Sequence, residues 1–213
     1  MKSRIIKLAT AAVIITAALI AVQQSGSWMD RTIPAYTDVL GNVRKYKTLT
    51  WKVTIPDNAV ITQCMALEPY YVRIAWPSGK VWLLDRHERK VILMNPAKKT
   101  AKIMSIEDQP PDMYETLSNF KNMSQLSAEQ IGQRRIGETQ AIGFRASFGR
   151  DQATVWVNPQ TQLPIRIEFL GTNERDRTEP AFIWSDIVFD VELDESLFRF
   201  DLAGYEVQEV DSG

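Results

Sequence analysis

Chemistry in this chain would have to come from very few residues. The 213 residues include one histidine, His87, and one cysteine, Cys64. One imidazole excludes a two-histidine zinc site, and one thiol excludes an intramolecular disulfide or a thiolate-rich metal site. His87 falls in the polar stretch Asp85–Arg89 and reads as an exposed turn residue. Cys64 falls in the strand-like VITQCMA and reads as a buried, inert thiol. Glu107-Asp108 and Asp194-Glu195 are sequence neighbours, so their carboxylates point apart and make no acid–base pair. Arg134-Arg135 is too small for a polyanion site, and Trp76–Lys80 (WPSGK) ends in Gly-Lys without the spacing of a phosphate loop. A Gly-x-Ser-x-Gly elbow and a Gly-x-Gly-x-x-Gly turn are both missing from the sequence. These residues predict no catalytic site, no metal and no cofactor, which makes the chain a binding protein rather than an enzyme.

The balance of charge narrows the class further. With 25 basic against 26 acidic residues, no cationic field is available to hold a nucleic acid. A 45% apolar content is ample to offset the entropy of folding. Lys2, Arg4 and Lys7 precede Leu8–Val22, a run built only from Leu, Ala, Thr, Val and Ile. A positive segment followed by an apolar one marks an exported chain. Fifteen apolar residues suit a cleaved signal peptide. Counting from Ile5, with Lys7 snorkelling, gives a run above the lower limit of about 17 residues for a spanning helix. No Ala-x-Ala pair follows, Ser25-Gly26-Ser27 being the nearest candidate, which favours a retained inner-membrane anchor over residues 5–22. The chain therefore divides into residues 1–27, a signal peptide or signal anchor, and a periplasmic or otherwise extracytoplasmic domain over 28–213. That domain is acidic, and eight of its acids lie between Asp190 and Asp211 against one base, Arg199.

The elements that must position any site follow from the hydrophobic period. Tyr36, Val39, Leu40, Val43 and Tyr46 share a face at helical spacing behind Thr32 and Pro34. Strands are then expected at Leu49–Ile55, Val60–Leu67, Tyr70–Trp76, Val81–Leu84, Val91–Met94 and Ala101–Ile106. The turns between them are too short for parallel crossovers, so the sheet is expected to be an antiparallel meander. Gln109-Pro110-Pro111 stops it, and Met113, Tyr114, Leu117, Phe120 and Met123 give a second amphipathic helix. Strands resume at Ile131–Gly137, Ala141–Phe148, Ala153–Val157, Leu163–Leu170 and Phe182–Val191. Asn95-Pro96 and Asn158-Pro159 are type I turn dipeptides.

Val81–Leu84 and Val91–Met94 are apolar on both faces, whereas an antiparallel sheet normally keeps one face wet. Something must cover the second face, or that face must curl around a space. The expected fold is α+β: a strongly curved antiparallel sheet, a half-open β-barrel of ten to eleven strands, with helices plugging its concave side. Its interior would be apolar, as ligand pockets usually are.

This order of elements resembles the lipoprotein-carrier superfamily of LolA, LolB and RseB/MucB over residues 30–207. Glu68–Ile74 (EPYYVRI) is similar to the family's Pro-Gly-x-Phe-Arg-Trp element at Pro69 and Arg73, with Tyr70, Val72 and Ile74 replacing the glycine, phenylalanine and tryptophan. Gly79–Asp85 (GKVWLLD) resembles the strand after a Gly turn. Val155–Phe169 (VWVNPQTQLPIRIEF) resembles the Trp-Val-Asp-Pro-x-Thr-x-Leu-Pro segment, and Leu193–Val207 (LDESLFRFDLAGYEV) resembles the family's tail. The resemblance implies a half-barrel that holds lipid or lipoprotein acyl chains, lined here by Trp51, Tyr71, Arg73, Trp82, Leu84, Met94, Met113, Leu117 and Phe120. It implies that Arg73 faces the cavity beside Tyr71 and Ala75 and latches a helical lid. The partners it implies are acyl chains, the membrane through the N-terminal segment, and an envelope protein, with no nucleic acid. The competing function is an RseB/MucB-like stress sensor that binds an anti-sigma-type partner.

Overall fold

A computed structural model of the chain describes residues 35–56, 60–108, 128–148, 151–170 and 180–210. One helix, α1 (Tyr36–Val43), leads into β1 (Thr48–Ile55). The stripe Val39, Leu40 and Val43 is buried as its spacing requires. The backbone N–H of Ala35 donates to the Asp38 carboxylate at 3.3 Å, and that first-turn acid also complements the helix dipole. Five strands follow at short intervals: β2 (Val60–Leu67), β3 (Tyr71–Ala75), β4 (Val81–Asp85), β5 (Lys90–Asn95) and β6 (Thr100–Ser105). The second series is β7 (Glu129–Ile136), β8 (Thr139–Phe148), β9 (Asp151–Asn158), β10 (Leu163–Leu170) and β11 (Phe182–Phe189). A 3₁₀ turn at Glu195–Phe198 precedes β12 (Glu206–Val210).

All twelve strands form one unclosed sheet in the order β12-β6-β5-β4-β3-β2-β1-β11-β10-β9-β8-β7. Each series is a meander, as the short turns require, and β1 joins the two by pairing with β11. The Asn turns close as their chemistry predicts: Asn95 Oδ1 accepts from Lys98 N at 3.3 Å, and Asn158 Oδ1 from Gln160 N at 2.8 Å. Register shifts between Thr50 and Lys52, Pro164 and Arg166, and Gln130 and Gly132 insert extra residues that bend the strands and curve the sheet. Gly132 supplies the φ of +117° that its shift demands, a region that side-chain-bearing residues avoid.

Two expectations are corrected. The sheet has twelve strands, and it is not wholly antiparallel, because β12 pairs in parallel with β6 from Glu206↔Thr100 to Val210↔Met104. Its five residues, EVQEV, carry too little apolar period to announce a strand. The two-faced apolar character of β4 and β5 has two covers: one face shares the main core with α1, and the other is covered by a segment that is not helical. All five residues of β4 are buried. Trp82, Leu84 and Val91 belong to the main core, while Val81, Ile92, Met94 and Ala101 form a second cluster covered by Phe200, Leu202 and Tyr205. The segment after β11 thus lies over the face opposite α1. Among the described residues α1 is the only α-helix, and the expected helix at Met113–Met123 lies outside them. Pro34–Gly213 forms one compact unit, which holds every strand and both apolar clusters.

Candidate functional site

Because strand side chains alternate, the register assigns each residue to a face. On the α1 face, Trp51, Cys64, Ile74, Trp82, Leu93, Lys102 and Gln208 stand opposite one another on seven successive strands. The row begins in an aromatic cluster. Trp51 lies 5.2 Å from Trp184, Trp184 lies 5.0 Å from Phe169, and Phe169 stacks on Phe182 at 4.4 Å. Across the core, Tyr36 on α1 reaches Phe144 at 5.3 Å. Burial pushes the Tyr36 hydroxyl above its ordinary value and the Cys64 thiol up to about 12. Neither supplies a nucleophile at neutral pH. Trp51 Nε1 is buried without a hydrogen-bond partner among the described residues, a donor left over in an otherwise apolar surface.

Tyr71, Arg73 and Ala75 point the other way. Arg73 stands opposite Met65 and Leu83, Ala75 opposite Val81, and the ring of Tyr71 packs 5.7 Å from Phe198. Arg73 Nε is buried without a partner among the described residues, and desolvation lowers the pKa of its guanidinium. The expectation that Arg73 shares a lining with Trp82 is therefore corrected. Residues an odd number of positions from Ile74 leave the opposite face of β3, and Ile74 is the one paired with Trp82.

Of the nine residues expected to line one cavity, Trp51, Trp82 and Leu84 share the α1 face. Tyr71, Arg73 and Met94 lie on the opposite face, Met94 beneath the segment after β11. Met113, Leu117 and Phe120 lie outside the described residues. The aromatic residues the sequence reading passed over are Phe169, Phe182 and Trp184. Their signal is the alternate positions of IEFL and FIWSDIVF, which the register brings to one face.

The far half of the opposite face is closed by charge. Glu168 accepts from Arg166 Nε at 2.6 Å, from Arg134 at 3.2 Å and from Trp156 Nε1 at 3.2 Å. Arg134 also lies 5.5 Å from the centre of the Trp156 ring. These groups satisfy one another. Near β12 the α1 face ends differently, in an open cleft of about 330 Å³ that includes Lys80, Leu93, Lys98, Lys102 and Glu206 in its walls. Among the described residues no group of acids, histidine and cysteine could hold a metal, and no helix is long and apolar enough to cross a membrane. Leu8–Val22 lies outside those residues.

The Pseudomonas aeruginosa MucA/MucB complex matches at 12% identity and a TM-score of 0.46, over 82% of this chain and 62% of that one. This chain thus spans under two thirds of the MucB-complex chain that it matches. LprF from Mycobacterium bovis matches at 7% identity and a TM-score of 0.47, over 76% of this chain and 97% of that one. The Mycobacterium tuberculosis lipoprotein LppX matches at 9% identity and a TM-score of 0.46, over 75% and 99%. No family model matches the sequence, and no curated protein matches it.

Proposed function

We propose that this chain is an extracytoplasmic, non-enzymatic binding protein that holds an acyl chain of a lipid or lipoprotein against the α1 face of its sheet. The observation that carries this reading is the apolar row Ile74–Trp82–Leu93 running from the Trp51–Trp184 pair toward the sheet edge. The eight-residue α1 is far too short to cover a face twelve strands wide. At about 1.5 Å per residue against about 4.8 Å per strand, the helix spans two to three strands. An apolar chain is the ligand such a surface accepts. The carrier role suggested by EPYYVRI and VWVNPQTQLPIRIEF is consistent with it.

Burying ~12 methylenes at about 0.8 kcal/mol each gives roughly 10 kcal/mol gross. Association and side-chain ordering return at least ~4 kcal/mol of that. The remaining 4–6 kcal/mol corresponds to a Kd of roughly 0.05–1 mM, weak enough for hand-over. Fatty acids of increasing length are titrated into residues 28–213, which contain the whole unit Pro34–Gly213, while tryptophan emission is followed. Affinity is expected to rise with length and then level off. No binding at any length below the critical micelle concentration sinks the reading.

A further inference from the structure

The cleft at the β12 end of the α1 face is chemically unlike the rest of it. Lys80, Lys98 and Lys102 converge on one space of about 330 Å³, against a single acidic lining residue, Glu206. None of the three lysines is in an ion pair among the described residues, although the chain as a whole is nearly neutral. Their placement follows from the register. Lys102 stands opposite Leu93, which stands opposite Trp82, so the cation continues the apolar row rather than facing away from it. Lys80 precedes β4 and Lys98 sits in the β5–β6 turn, so both flank that same end. Asn95 and Thr100, paired across β5 and β6, add neutral polar groups to the lining.

We infer that this cleft receives the phosphate headgroup of an anionic amphiphile whose chain lies along the Trp82–Leu93 row. The inference rests on the acyl-binding reading and adds the class of ligand to it. From Trp51 to Lys102 there are five interstrand steps, roughly 24 Å at about 4.8 Å each along a flat sheet and less across a curved one. A tail and a head therefore have separate, aligned places. Convergent lysines favour phosphate through point charge, whereas a neutral sugar head gains nothing from them.

Residues 28–213 are titrated below the critical micelle concentration with decyl phosphate, decyl maltoside and inorganic phosphate. Decyl phosphate is expected to bind roughly tenfold more tightly than decyl maltoside at low salt, three partly exposed charge pairs each contributing a few-fold. At ~0.5 M salt screening shrinks that advantage to within about threefold. Lys80→Gln with Lys98→Gln, both exposed and outside the apolar row, is expected to remove most of the advantage. Decyl maltoside affinity and Tm stay as they were, and adding Lys102→Gln removes the remainder. Equal affinity for the two decyl compounds, or an advantage that survives all three substitutions, overturns the headgroup site and leaves the acyl reading standing. Binding of inorganic phosphate with neither decyl compound bound overturns both.

Discussion

Gly143 in β8 is the position where one added methyl group should be felt most sharply. A Cβ there would stand 2.8 Å from Trp156 Cζ3 and 2.9 Å from Ile131 Cγ1, inside van der Waals contact on two sides. The Trp156 ring cannot swing aside cheaply, because its Nε1 donates to Glu168 at 3.2 Å and Arg134 covers its face. Forcing a methyl into a packed site costs about 1–3 kcal/mol. Replacing glycine by alanine in a strand returns roughly 0.5–1 kcal/mol through the unfolded chain. Gly143→Ala is therefore expected to destabilise by about 1–2 kcal/mol, a fall in Tm of roughly 3–6 °C for a unit of this size. Urea and thermal unfolding of residues 28–213 measure it. In a Trp156→Leu background the contacts with the ring are gone and only Ile131 Cγ1 still crowds the methyl, so the same alanine is expected to cost clearly less, and the double-mutant cycle reports a coupling between the two positions. A Gly143→Ala variant as stable as the parent, or an equal loss in both backgrounds, refutes the packing argument.

Three further outcomes can be checked on the same unit. Phe198→Ala empties a side chain that is 3% exposed and packed on Tyr71, and is expected to cost about 3 kcal/mol in urea unfolding; a loss below ~1 kcal/mol contradicts the covering role given to this segment. Cys64, with its thiol pushed up to about 12, is expected to resist iodoacetamide at pH 8 until the protein unfolds, and prompt labelling of the native protein shows that strand β2 opens. Glu107 accepts from the Ser105 hydroxyl first and from Arg89 second, which holds its carboxyl at about 2, below its ordinary 4.5. A lowered pKa contributes stability above the unfolded value, lost as pH falls from about 4.5 toward 2; Glu107→Gln is expected to flatten the pH dependence across that window.

Strand positions were legible because the period-two signal needs only local information. Val60–Leu67 and Leu163–Leu170 match to the residue, the other expected strands to within one or two at each end, and β12 was not expected. A curved sheet was expected from strands whose two faces are both apolar, but that character belongs to the cover after β11, and the bends come from the register shifts. What covers the second face was not legible. Phe200, Leu202 and Tyr205 lie on a segment with no regular period, so nothing local marks them as a cover for Val81 and Ile92. The parity of Arg73 was missed because the doubly apolar β4 gives no hint of which alternate set meets α1. That parity is fixed by pairing with Ile74 and Trp82, a non-local fact. The lysine cleft assembles from the β3–β4 turn, the β5–β6 turn and three strands, β5, β6 and β12, and no single stretch of sequence contains it.

The pairing of β1 with β11 sets a schedule for folding. β1 to β6 can zip together hairpin by hairpin as the chain is made, since every contact among them is local. The seam to the second series, Leu49↔Phe189 through Thr54↔Ile183, has to wait until β11 has been made. The cover on Val81, Ile92 and Met94 comes later still, with Phe200, Leu202 and Tyr205. For most of its synthesis the chain therefore carries an early half-sheet with an apolar back exposed to solvent and a β1 edge unpaired. Those are the two features that invite misassembly and that holdase chaperones bind. Loss of residues 198–205 would leave the native strands present and that vulnerable interval without an end.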